Sequence, residues 1–344
     1  MTTIEIDGGS GEGGGQVLRS ALALSLVTGT PFRMTNIRAG RKRPGLMRQH
    51  LTAVLAAAEV GGAKVTGADI GSRELSFSPG RVRAGDYHFS VGTAGSATLV
   101  FQTVFPALAL ASGPSTVVVE GGTHNPMAPP FDFLARAFLP LVARMGPGAT
   151  AVLERPGFYP AGGGRFRVDI EPAAAFGRLE LLERGAVVER RATAVVAQLS
   201  RSIAERELAA VRERLSWDPE CARIEHVQDA VGPGNAVIVD IVAEQVTEVF
   251  TGFGERGVSA ERVGADVAGE VAEYLAAAVP VGRHLADQLL LPMALGGGGS
   301  FRTLTPSNHT RTHAALLRSF LGVEILIEGA TDGSWRVVVP GRPT

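Results

Sequence analysis

The sequence predicts an α+β fold, an α/β sandwich in which three βαβαββ repeats form a large domain that carries a small inserted α/β domain. The order strand, helix, strand, helix, strand, strand occurs about three times, at roughly 80 residues per copy where nothing interrupts it. A stretch rich in acidic residues breaks the series after the second copy. The 44 glycines indicate many tight turns and close backbone approaches, which favour packed layers of strands and helices.

The first two copies follow one another along the chain. In residues 4–79 the segments are TIEID, a glycine loop, GQVLRSALALSLV, FRMTNI, the loop RAGRKRPG, LMRQHLTAVLAAAEV, AKVTG and ELSFSP. In residues 86–170 they are DYHFSV, a loop at residues 92–95, SATLVFQTVFPALALA, STVVVEG, the loop GTHNPMAPP, FDFLARAFLPLVARM, GATAVLE and GRFRVDI. Apolar periodicity separates the strands from the helices in both copies.

The third copy starts near residue 283. Its segments are HLADQLLLPMAL, a glycine run at residues 296–299, SFRTLT, the loop PSNHTRT, HAALLRSFLG, EILIEG and WRVVVP. The acidic stretch before it has its own order: strand, helix, three strands and a helix, from TAVVAQLS to SAERVGADVAGEVAEYLAAA. We therefore divide the chain into residues 1–180 with repeats one and two, residues 181–278 as the inserted small domain, and residues 279–344 with the third repeat.

Composition excludes several classes of protein. The single cysteine, Cys221, excludes an internal disulfide and a cysteine-based zinc site, since both need several thiols. The beginning of the sequence, MTTIEIDGG, lacks the basic and apolar regions of a signal peptide, and no segment favours a membrane span. These observations predict a soluble, cytoplasmic protein.

Charge is distributed unevenly along the chain, although the formal net charge is only −1. Residues 13–58 contain seven arginines and lysines and no acidic residue, whereas residues 178–274 contain 18 acidic residues against 11 arginines. Like charges in a solvated loop repel one another, so a long basic run without acids indicates an anionic partner. The loop RAGRKRPG therefore predicts contact with a nucleic acid or a nucleotide phosphate, with a solvated loop as the alternative.

The loops after the second strand of each copy are equivalent, namely RAGRKRPG, GTHNP and PSNHT. If the three copies pack around a shared axis, these loops lie at one end of the structure, where binding groups commonly occur. We therefore expect the arginine cluster, His124 and His309 to be neighbours.

The glycine loop GGSGEGGG at residues 8–15 formally meets the G-x-G-x-x-G dinucleotide pattern. A dinucleotide site also needs an acidic residue about 20 positions further on, and no acid occurs between Glu12 and Glu59. A glycine-rich helix entry still offers backbone N–H groups to phosphate. Glu12 is then either a metal or water ligand beside a triphosphate or an acid that favours the helix N-terminus.

His309 precedes an amphipathic segment in the third equivalent loop. An imidazole in this place acts as a base, a ligand or a nucleophile, or else the residue only forms the helix entry. Asp287, in the preceding helix, is positioned in sequence to orient it, because a carboxylate fixes the tautomer of a catalytic imidazole. The residues alone leave these alternatives open.

Four segments together resemble the RNA 3′-terminal phosphate cyclases: GGSGEGGGQVLRSALALSL, RAGRKRPGLMRQHL, RPGFYPAGGG at residues 155–164, and SNHT. The similarity extends along essentially the whole chain, including the insert. It implies an enzyme, a ligase forming phosphoric ester bonds, that uses ATP to convert an RNA 3′-phosphate to a 2′,3′-cyclic phosphate through a covalent histidine–AMP and an RNA adenylate.

The resemblance also implies roles for individual residues. His309 stands where the family's nucleophile lies, and Glu12 aligns with its carboxylate for a divalent metal, Mg or Mn. The residues that align with polar groups around the nucleotide and the RNA phosphate are Arg19, Arg38, Arg41, Gln49, His50 and Gln102, with Asp287 as an acid of the nucleotide pocket. RNA with a 3′-phosphate end is the implied partner, with a homodimer as one possible assembly.

Two other functions share the fold. A noncatalytic RNA-binding ribosome-assembly factor of the same family lacks the histidine, so His309 favours an enzyme. Enolpyruvyl transferases share the repeat but not the SNHT loop. Retention of AMP on the protein from ATP distinguishes the cyclase from both.

Overall fold

The computed structural model describes residues 2–342 and contains, within them, eight helices and sixteen strands. The helices are α1 Gly15–Thr28, α2 Arg48–Gly61, α3 Ala97–Leu108, α4 in three consecutive segments Phe131–Phe133, Leu134–Phe138 (a π-helical turn) and Leu139–Ala143, α5 Arg201–Leu215, α6 Ala260–Ala277, α7 Arg283–Ala294 and α8 Asn308–Leu321. The strands are β1 Ile4–Asp7, β2 Phe32–Thr35, β3 Lys64–Thr66, β4 Leu75–Ser78, β5 Asp86–Ser90, β6 Ser115–Gly121, β7 Gly148–Arg155, β8 Gly164–Glu171, β9 Leu179–Leu181, β10 Val187–Ala197, β11 Ala222–Val227, β12 Gly234–Ala243, β13 Thr247–Phe253, β14 Gly299–Thr303, β15 Leu326–Gly329 and β16 Trp335–Val339.

The three repeats have the same sheet topology. The strand orders are β1-β2-β4-β3, β5-β6-β8-β7 and β9-β14-β16-β15. In every sheet the first and second strands are parallel, and the fourth strand pairs antiparallel with the second and the third. The first and second strands are joined by a helix, as a parallel pair requires. The predicted α+β fold with three βαβαββ repeats is confirmed.

The third repeat contains a strand that the sequence analysis did not assign to it. β9 pairs in parallel with Gly299–Phe301 of β14, although the insert separates the two strands along the chain. The insert therefore interrupts the third repeat after its first strand, and the expected boundary after residue 180 falls within β9. A strand of three residues is too short to show periodicity, and its parallel partner lies far away in sequence.

Equivalent helices of the three repeats meet at one place. α1, α3 and α7 together line a cavity of about 60 Å³, to which Gln102 and Pro106 of α3 and Gln288 and Pro292 of α7 contribute. These residues are the sixth and tenth of their helices, and Ser20, the sixth of α1, lines the same cavity. The repeat therefore extends to the side chains at the junction of the three units.

The insert forms a fourth sheet, ordered β11-β10-β12-β13, and both faces of it are buried. Along β10, Ala194 and Val196 pack with the insert's own helices α5 and α6, whereas Val195 and Ala197 join the core of the large domain. Successive side chains of a strand point to opposite faces, so one strand serves two cores. No helix within residues 2–342 has the length and apolar character that a membrane span needs.

Candidate active site

The N-terminus of α8 presents His309 to solvent. Ser307 is the N-cap residue, because its hydroxyl accepts a hydrogen bond from the Thr310 N–H at 3.2 Å. His309 is the second residue of the helix and is exposed. The capping function that the sequence left open therefore belongs to Ser307, and the His309 imidazole is free for other contacts.

A glutamine connects His309 with Asp287. The amide nitrogen Nε2 of Gln16 donates to Oδ2 of Asp287 at 2.9 Å, and its Oε1 lies 2.9 Å from Nδ1 of His309. Because an amide oxygen only accepts, Nδ1 carries the proton and Nε2 of His309 keeps its lone pair. The sequence analysis expected Asp287 to orient His309 directly; in the structure, Gln16 lies between them.

Asp287 is buried, and its surroundings change its acidity. Burial raises the pKa of its carboxyl group to about 6, although hydrogen bonds from Gln288 and Gln16 and the nearby His309 and Arg19 oppose the shift. The backbone carbonyl of Asp287 also lies 2.9 Å from Nδ1 of His313 on α8. Asp287 thus holds α7 against both α1 and α8.

His313 is a neutral, buried histidine one helical turn after His309. Burial lowers its pKa to about 4. Its Nδ1 faces a carbonyl and therefore carries the proton, so Nε2 is an acceptor, and within residues 2–342 this buried atom has no hydrogen-bond partner. His313 lines the cavity between the three repeats together with Gln16 and Arg19. The face of α8 that carries His313 therefore borders the cavity between the repeats.

The glycine loop holds Glu12 beside the start of α1. The backbone N–H of Glu12 donates to the Thr312 hydroxyl at 3.1 Å, and Oε1 accepts from the Gln16 N–H at 3.3 Å. Oε2 forms an ion pair with Arg41 at 2.5 Å, and only 5% of the Glu12 side chain is exposed. The loop of the first repeat is thus joined to α8 of the third.

Gly15 shows why this loop needs glycine. A Cβ atom on Gly15 would lie 2.4 Å from Nε2 of His50 and 2.7 Å from the Arg19 guanidinium, so an alanine would displace both side chains. Gly11 has φ +64°, and a Cβ there would overlap the Thr312 side chain. The close approach of backbone to side chains is therefore built into the sequence GGSGEGGG.

Burial and mutual repulsion lower the pKa values of basic groups in the site. Burial lowers the pKa of Arg19 to about 10, with Glu12 and Asp287 opposing the shift. Burial, followed by the charges of Arg19, Arg38 and Arg41, lowers the pKa of His50 to about 3, so His50 is neutral. Burial, together with the charge of three neighbouring arginines, thus keeps the His50 imidazole neutral.

Most cations of the basic segment have no acidic partner. Of the seven in residues 13–58, Arg33 pairs with Glu74 and Arg41 with Glu12. The other five form no ion pair within residues 2–342: Arg19, Arg38, Lys42, Arg43 and Arg48. Arg38 instead donates to the carbonyls of Arg43 and Gly45, each at 2.8 Å. These hydrogen bonds fold the loop around the Arg38 guanidinium group. Such a surface suits phosphate.

Gln49 and Gln102 are engaged with the second and third repeats. Oε1 of Gln49 accepts from the Ser96 N–H at 2.9 Å, and Nε2 of Gln102 donates to Oε1 of Gln288 at 2.8 Å. Gln102 lines the cavity with Gln16 and Arg19, whereas Gln49 lies on the opposite side of His50, against residues 95–96. All three repeats contribute to one site.

His124 does not contribute an accessible group to this site. It is 2% exposed, with Nδ1 2.8 Å from the Thr123 hydroxyl and Nε2 2.8 Å from Oδ2 of Asp132. Its ring also packs against Phe158. The sequence predicted that His124, His309 and the arginine cluster would be neighbours; in the structure, the His124 imidazole is buried and held by Asp132 of the second repeat, so it offers no accessible group.

Four residues of the site were missed in the sequence: Gln16, His284, Gln288 and His313. Gln16 directly follows the glycine run, and Gln288 directly follows Asp287. Adjacency to these motifs is the one feature of the sequence that could have indicated a function for the two glutamines. His284 lies in the first turn of α7, where burial and then the charges of Arg283 and His309 lower its pKa. Their function depends on contacts between repeats, which a linear pattern does not contain.

Within residues 2–342 no group of three or more His, Cys, Asp or Glu side chains is arranged to hold a metal ion. The donor set nevertheless fits Mg²⁺ or Mn²⁺ that arrives with a nucleotide, because such an ion uses one or two carboxylates and takes its other ligands from phosphates and water. Glu12 provides that carboxylate, in competition with Arg41.

A family model and two curated proteins that match this chain carry the same description. A family model described as "RNA 3'-terminal phosphate cyclase" matches residues 10–327. A curated "RNA 3'-terminal phosphate cyclase" from Koribacter versatilis is 55% identical over 327 residues, covering 95% of this chain and 92% of that protein. One of the same name from Ralstonia nicotianae is 54% identical over 332 residues, covering 96% and 95%.

Among solved structures, the enolpyruvyl transferase NikO from Streptomyces tendae is similar at 12% identity and a TM-score of 0.36. The match covers 98% of this chain and 48% of that one. A likeness this weak carries no information about the activity of this chain.

Proposed function

The chain belongs to the RNA 3′-terminal phosphate cyclase family, and on that basis we propose that it converts the 3′-terminal phosphate of RNA to a 2′,3′-cyclic phosphate by way of an AMP carried on His309. The two curated relatives carry the name of the enzyme of class EC 6.5.1.4, and the cyclases of the family use ATP. The identity of the nucleophile, the metal and the order of steps are parts of the proposal.

The observation that carries the proposal is the tautomer of His309. Gln16 accepts from Nδ1, so Nε2 presents its lone pair at the exposed end of α8. In the first step Nε2 attacks the α-phosphorus of ATP, the bond from that phosphorus to the bridging oxygen breaks, and pyrophosphate leaves with the electron pair. The ring then carries positive charge, which the oxygen of Gln16 stabilises at Nδ1.

Asp287 supports the same step from a distance. Its carboxylate fixes the Gln16 amide with the nitrogen towards Asp287 and the oxygen towards His309. Without that anchor, the amide could turn over and present its N–H groups to Nδ1, which would reverse the tautomer. Asp287 and Gln16 are therefore positioning residues, and His309 is the group that touches the phosphorus.

The arginines around Glu12 suit the binding of both substrates. ATP and the RNA 3′-phosphate bring several negative charges to one place, and Arg19, Arg38 and Arg41 lie around Glu12 with charge to neutralise them. A divalent ion bound with ATP would be held by Glu12 and would supply further neutralisation of the phosphates. Arg41 would then be released from Glu12 towards phosphate.

The second and third steps consume the adenylate. An oxygen of the RNA 3′-phosphate attacks the phosphorus of the histidine–AMP, and the P–N bond breaks to return the electron pair to Nε2. The neighbouring 2′-hydroxyl then attacks the RNA phosphorus, loses its proton, and displaces AMP. Activation is needed because an oxide of a phosphate monoester is a poor leaving group, whereas AMP is a good one.

A noncatalytic RNA-binding assembly factor of the same fold is the second candidate, and the same contacts argue against it. A binding protein needs the cations but has no use for an exposed histidine whose tautomer is fixed through Gln16 by a buried carboxylate.

The test is incubation with ATP labelled at the α-phosphate, followed by denaturation and gel electrophoresis. We expect the wild-type protein with Mg²⁺ or Mn²⁺ to retain label in an acid-labile, hydroxylamine-sensitive bond, and to cyclise a 3′-phosphorylated oligoribonucleotide. His309→Ala should retain none. His226→Ala is the matched control, since His226 is an exposed histidine of the insert. A folded wild-type protein without label, or equal label in His309→Ala, would contradict the proposal.

A further inference from the structure

One aromatic side chain is placed differently from all others in the chain. The sequence contains 15 Phe, 3 Tyr and 2 Trp, and within residues 2–342 Tyr159 is the one of them that is exposed, at 66%. It belongs to the turn between β7 and β8, in the segment FYPAGGG. The arginine cluster contains no aromatic residue, so a base-stacking surface has to come from elsewhere in the fold.

The turn that carries Tyr159 is firmly anchored. Phe158 and Gly162 form a bridge, with the Gly162 N–H donating to the Phe158 carbonyl at 2.7 Å. The Gly157 N–H donates to the Thr123 hydroxyl at 2.8 Å, and the Gly157 carbonyl accepts from the His124 N–H at 3.0 Å. Tyr159 therefore projects from a fixed base, which limits the entropy lost when a ligand packs on its ring.

This turn contacts the residues that adjoin the candidate active site. A Cβ atom on Gly162 would lie 2.8 Å from Ala94, and one on Gly95 would lie 3.0 Å from the Gln49 side chain. Gln49 precedes His50, and Nε2 of His50 lies beside Gly15 and Arg19. Three close packing contacts thus connect the turn of the second repeat with the basic site of the first.

The cations along this path are available to a polyanion. Arg48 is exposed and forms no ion pair within residues 2–342. Arg155, the last residue of β7 before the turn that carries Tyr159, donates from Nε to the Gly163 carbonyl at 2.6 Å. It likewise has no carboxylate partner within residues 2–342, whereas Arg165 pairs with Glu120 and Glu154. Two free guanidinium groups therefore flank the route from the site to Tyr159.

We propose that Tyr159 stacks against a base of the RNA strand on the 5′ side of its terminal phosphate, with Arg155 and Arg48 contacting the backbone phosphates. The inference rests on the proposed function, because it supposes that an RNA end lies among the arginines. Single-stranded RNA is held by aromatic rings that stack on unpaired bases and by a positive groove that follows the backbone. The stacking needs no particular base, so it gives affinity for a strand and little sequence preference.

The test compares Tyr159→Ala and Tyr159→Phe with the wild type on two substrates, a 3′-phosphorylated oligoribonucleotide and a nucleoside 3′-phosphate. In Tyr159→Ala the KM for the oligoribonucleotide should rise roughly tenfold, the usual effect of losing one base–aromatic stack, and kcat should change little. The KM for the nucleoside should stay the same, because it has no upstream base. Tyr159→Phe should behave as wild type.

A fluorescent base analogue, 2-aminopurine, gives a direct reading of stacking. Placed at successive positions upstream of the 3′-phosphate, it should be quenched by the wild-type protein at one position and not by Tyr159→Ala. Val258→Ala is the matched control, since Val258 is an exposed apolar residue of the insert at 43%. Labelling with α-labelled ATP alone should be equal in all variants, because that step involves no RNA.

Three outcomes overturn the inference. Equal oligoribonucleotide KM in Tyr159→Ala and wild type, while the wild type labels and cyclises, removes the stacking role and leaves the function intact. An equal rise in KM for both substrates assigns the loss to the active site itself. A wild-type dimer that Tyr159→Ala converts to a monomer in sedimentation assigns the surface to a second copy of this chain. Absence of labelling and cyclisation in the wild type is a failure of the proposed function instead.

Discussion

Gln16 shows how one neutral side chain transmits the effect of a buried carboxylate. Burial disfavours the charged form of the Asp287 carboxyl group and raises its pKa to about 6. The amide of Gln16 carries no charge, so it orients His309 from Asp287 without bringing a second carboxylate into the proposed phosphate site. A direct Asp–His pair would instead favour a protonated imidazole, which is no nucleophile.

We predict that Gln16→Met lowers the rate of protein adenylation about 10- to 100-fold, the usual loss when a group that orients a functional histidine is removed. Methionine keeps the length of the side chain but neither accepts from Nδ1 of His309 nor donates to Asp287. The KM for ATP should change little, because the arginines remain. Single-turnover labelling measures the rate, and thermal unfolding checks the fold.

Gln228→Met, at an exposed glutamine of the insert, is the control for this substitution. An adenylation rate equal to wild type in Gln16→Met would show that His309 needs no partner at Nδ1. A loss confined to the KM for ATP would assign Gln16 to nucleotide binding instead of positioning.

At the scale of elements, α7 depends on a residue of the insert. Glu248 of β13 is 2% exposed and accepts a hydrogen bond from the backbone N–H of Gly282, the N-cap residue of α7. Burial raises the pKa of Glu248 to about 8, with the Gly282 and Val249 N–H groups opposing the shift. The helix that carries Asp287 and Gln288 therefore begins at a carboxyl group of the insert.

We predict that Glu248→Gln stabilises the protein at neutral pH. The folded pKa of about 8 exceeds the value of 4.5 in the unfolded chain, so the folded state binds the extra proton between them and wild-type stability falls as pH rises through this window. Glutamine keeps the acceptor for Gly282 without the charge. The gain should be roughly 3 kcal/mol near pH 7 and should vanish at pH values below about 4.5.

Urea unfolding of both proteins from acid to mildly alkaline pH measures this difference. Glu255→Gln, at an exposed glutamate that follows β13, should show no such pH dependence. A difference that is constant with pH would mean that Glu248 is ionised to the same extent in the folded and unfolded states.

At the scale of the whole molecule, a chain of ion pairs joins the insert to the second repeat. Asp240 of β12 is fully buried and contacts Arg136 of α4 at 3.0 Å and Arg191 of β10 at 3.1 Å. Arg136 also pairs with Asp132 at 2.7 Å, and Asp132 holds His124. His124, which the sequence analysis grouped with His309, is thus connected through Asp132 and Arg136 to the contact between the insert and the large domain.

We predict that Arg136→Met destabilises the protein by about 1–3 kcal/mol, because one of the two cations at the buried Asp240 carboxylate is removed while Arg191 still contacts it. Adding Asp240→Asn should restore part of this loss, because the carboxylate that has lost one cation then carries no charge. Denaturant unfolding of the two single variants and the double variant measures the coupling. Arg262→Met, at an exposed pair, is the control. Additive losses would show that Arg136 and Asp240 are not coupled.

The sequence could predict the elements more readily than their partners. Periodicity identified the repeats, and the glycine loop, the basic loop and SNHT were found as local patterns. β9 was not predicted because a strand of three residues is too short to show periodicity. The sequence also did not show that the sheet of the insert packs on two cores, its own and that of the large domain, because its strands are buried on both faces. Gln16 was not predicted because it acts through residues of another repeat, namely Asp287 and His309.

By itself, the sequence determined the repeated α+β fold, the family, the segregation of charge and the residue types of the site. Only the tertiary structure decided that Gln16 stands between Asp287 and His309, that His124 is buried against Asp132, and that Tyr159 is exposed. The physical reason is the separation along the sequence over which each interaction acts. Capping, periodicity and charge runs act between near neighbours in sequence, whereas tautomer, acidity and exposure depend on groups that only packing of the three repeats brings together.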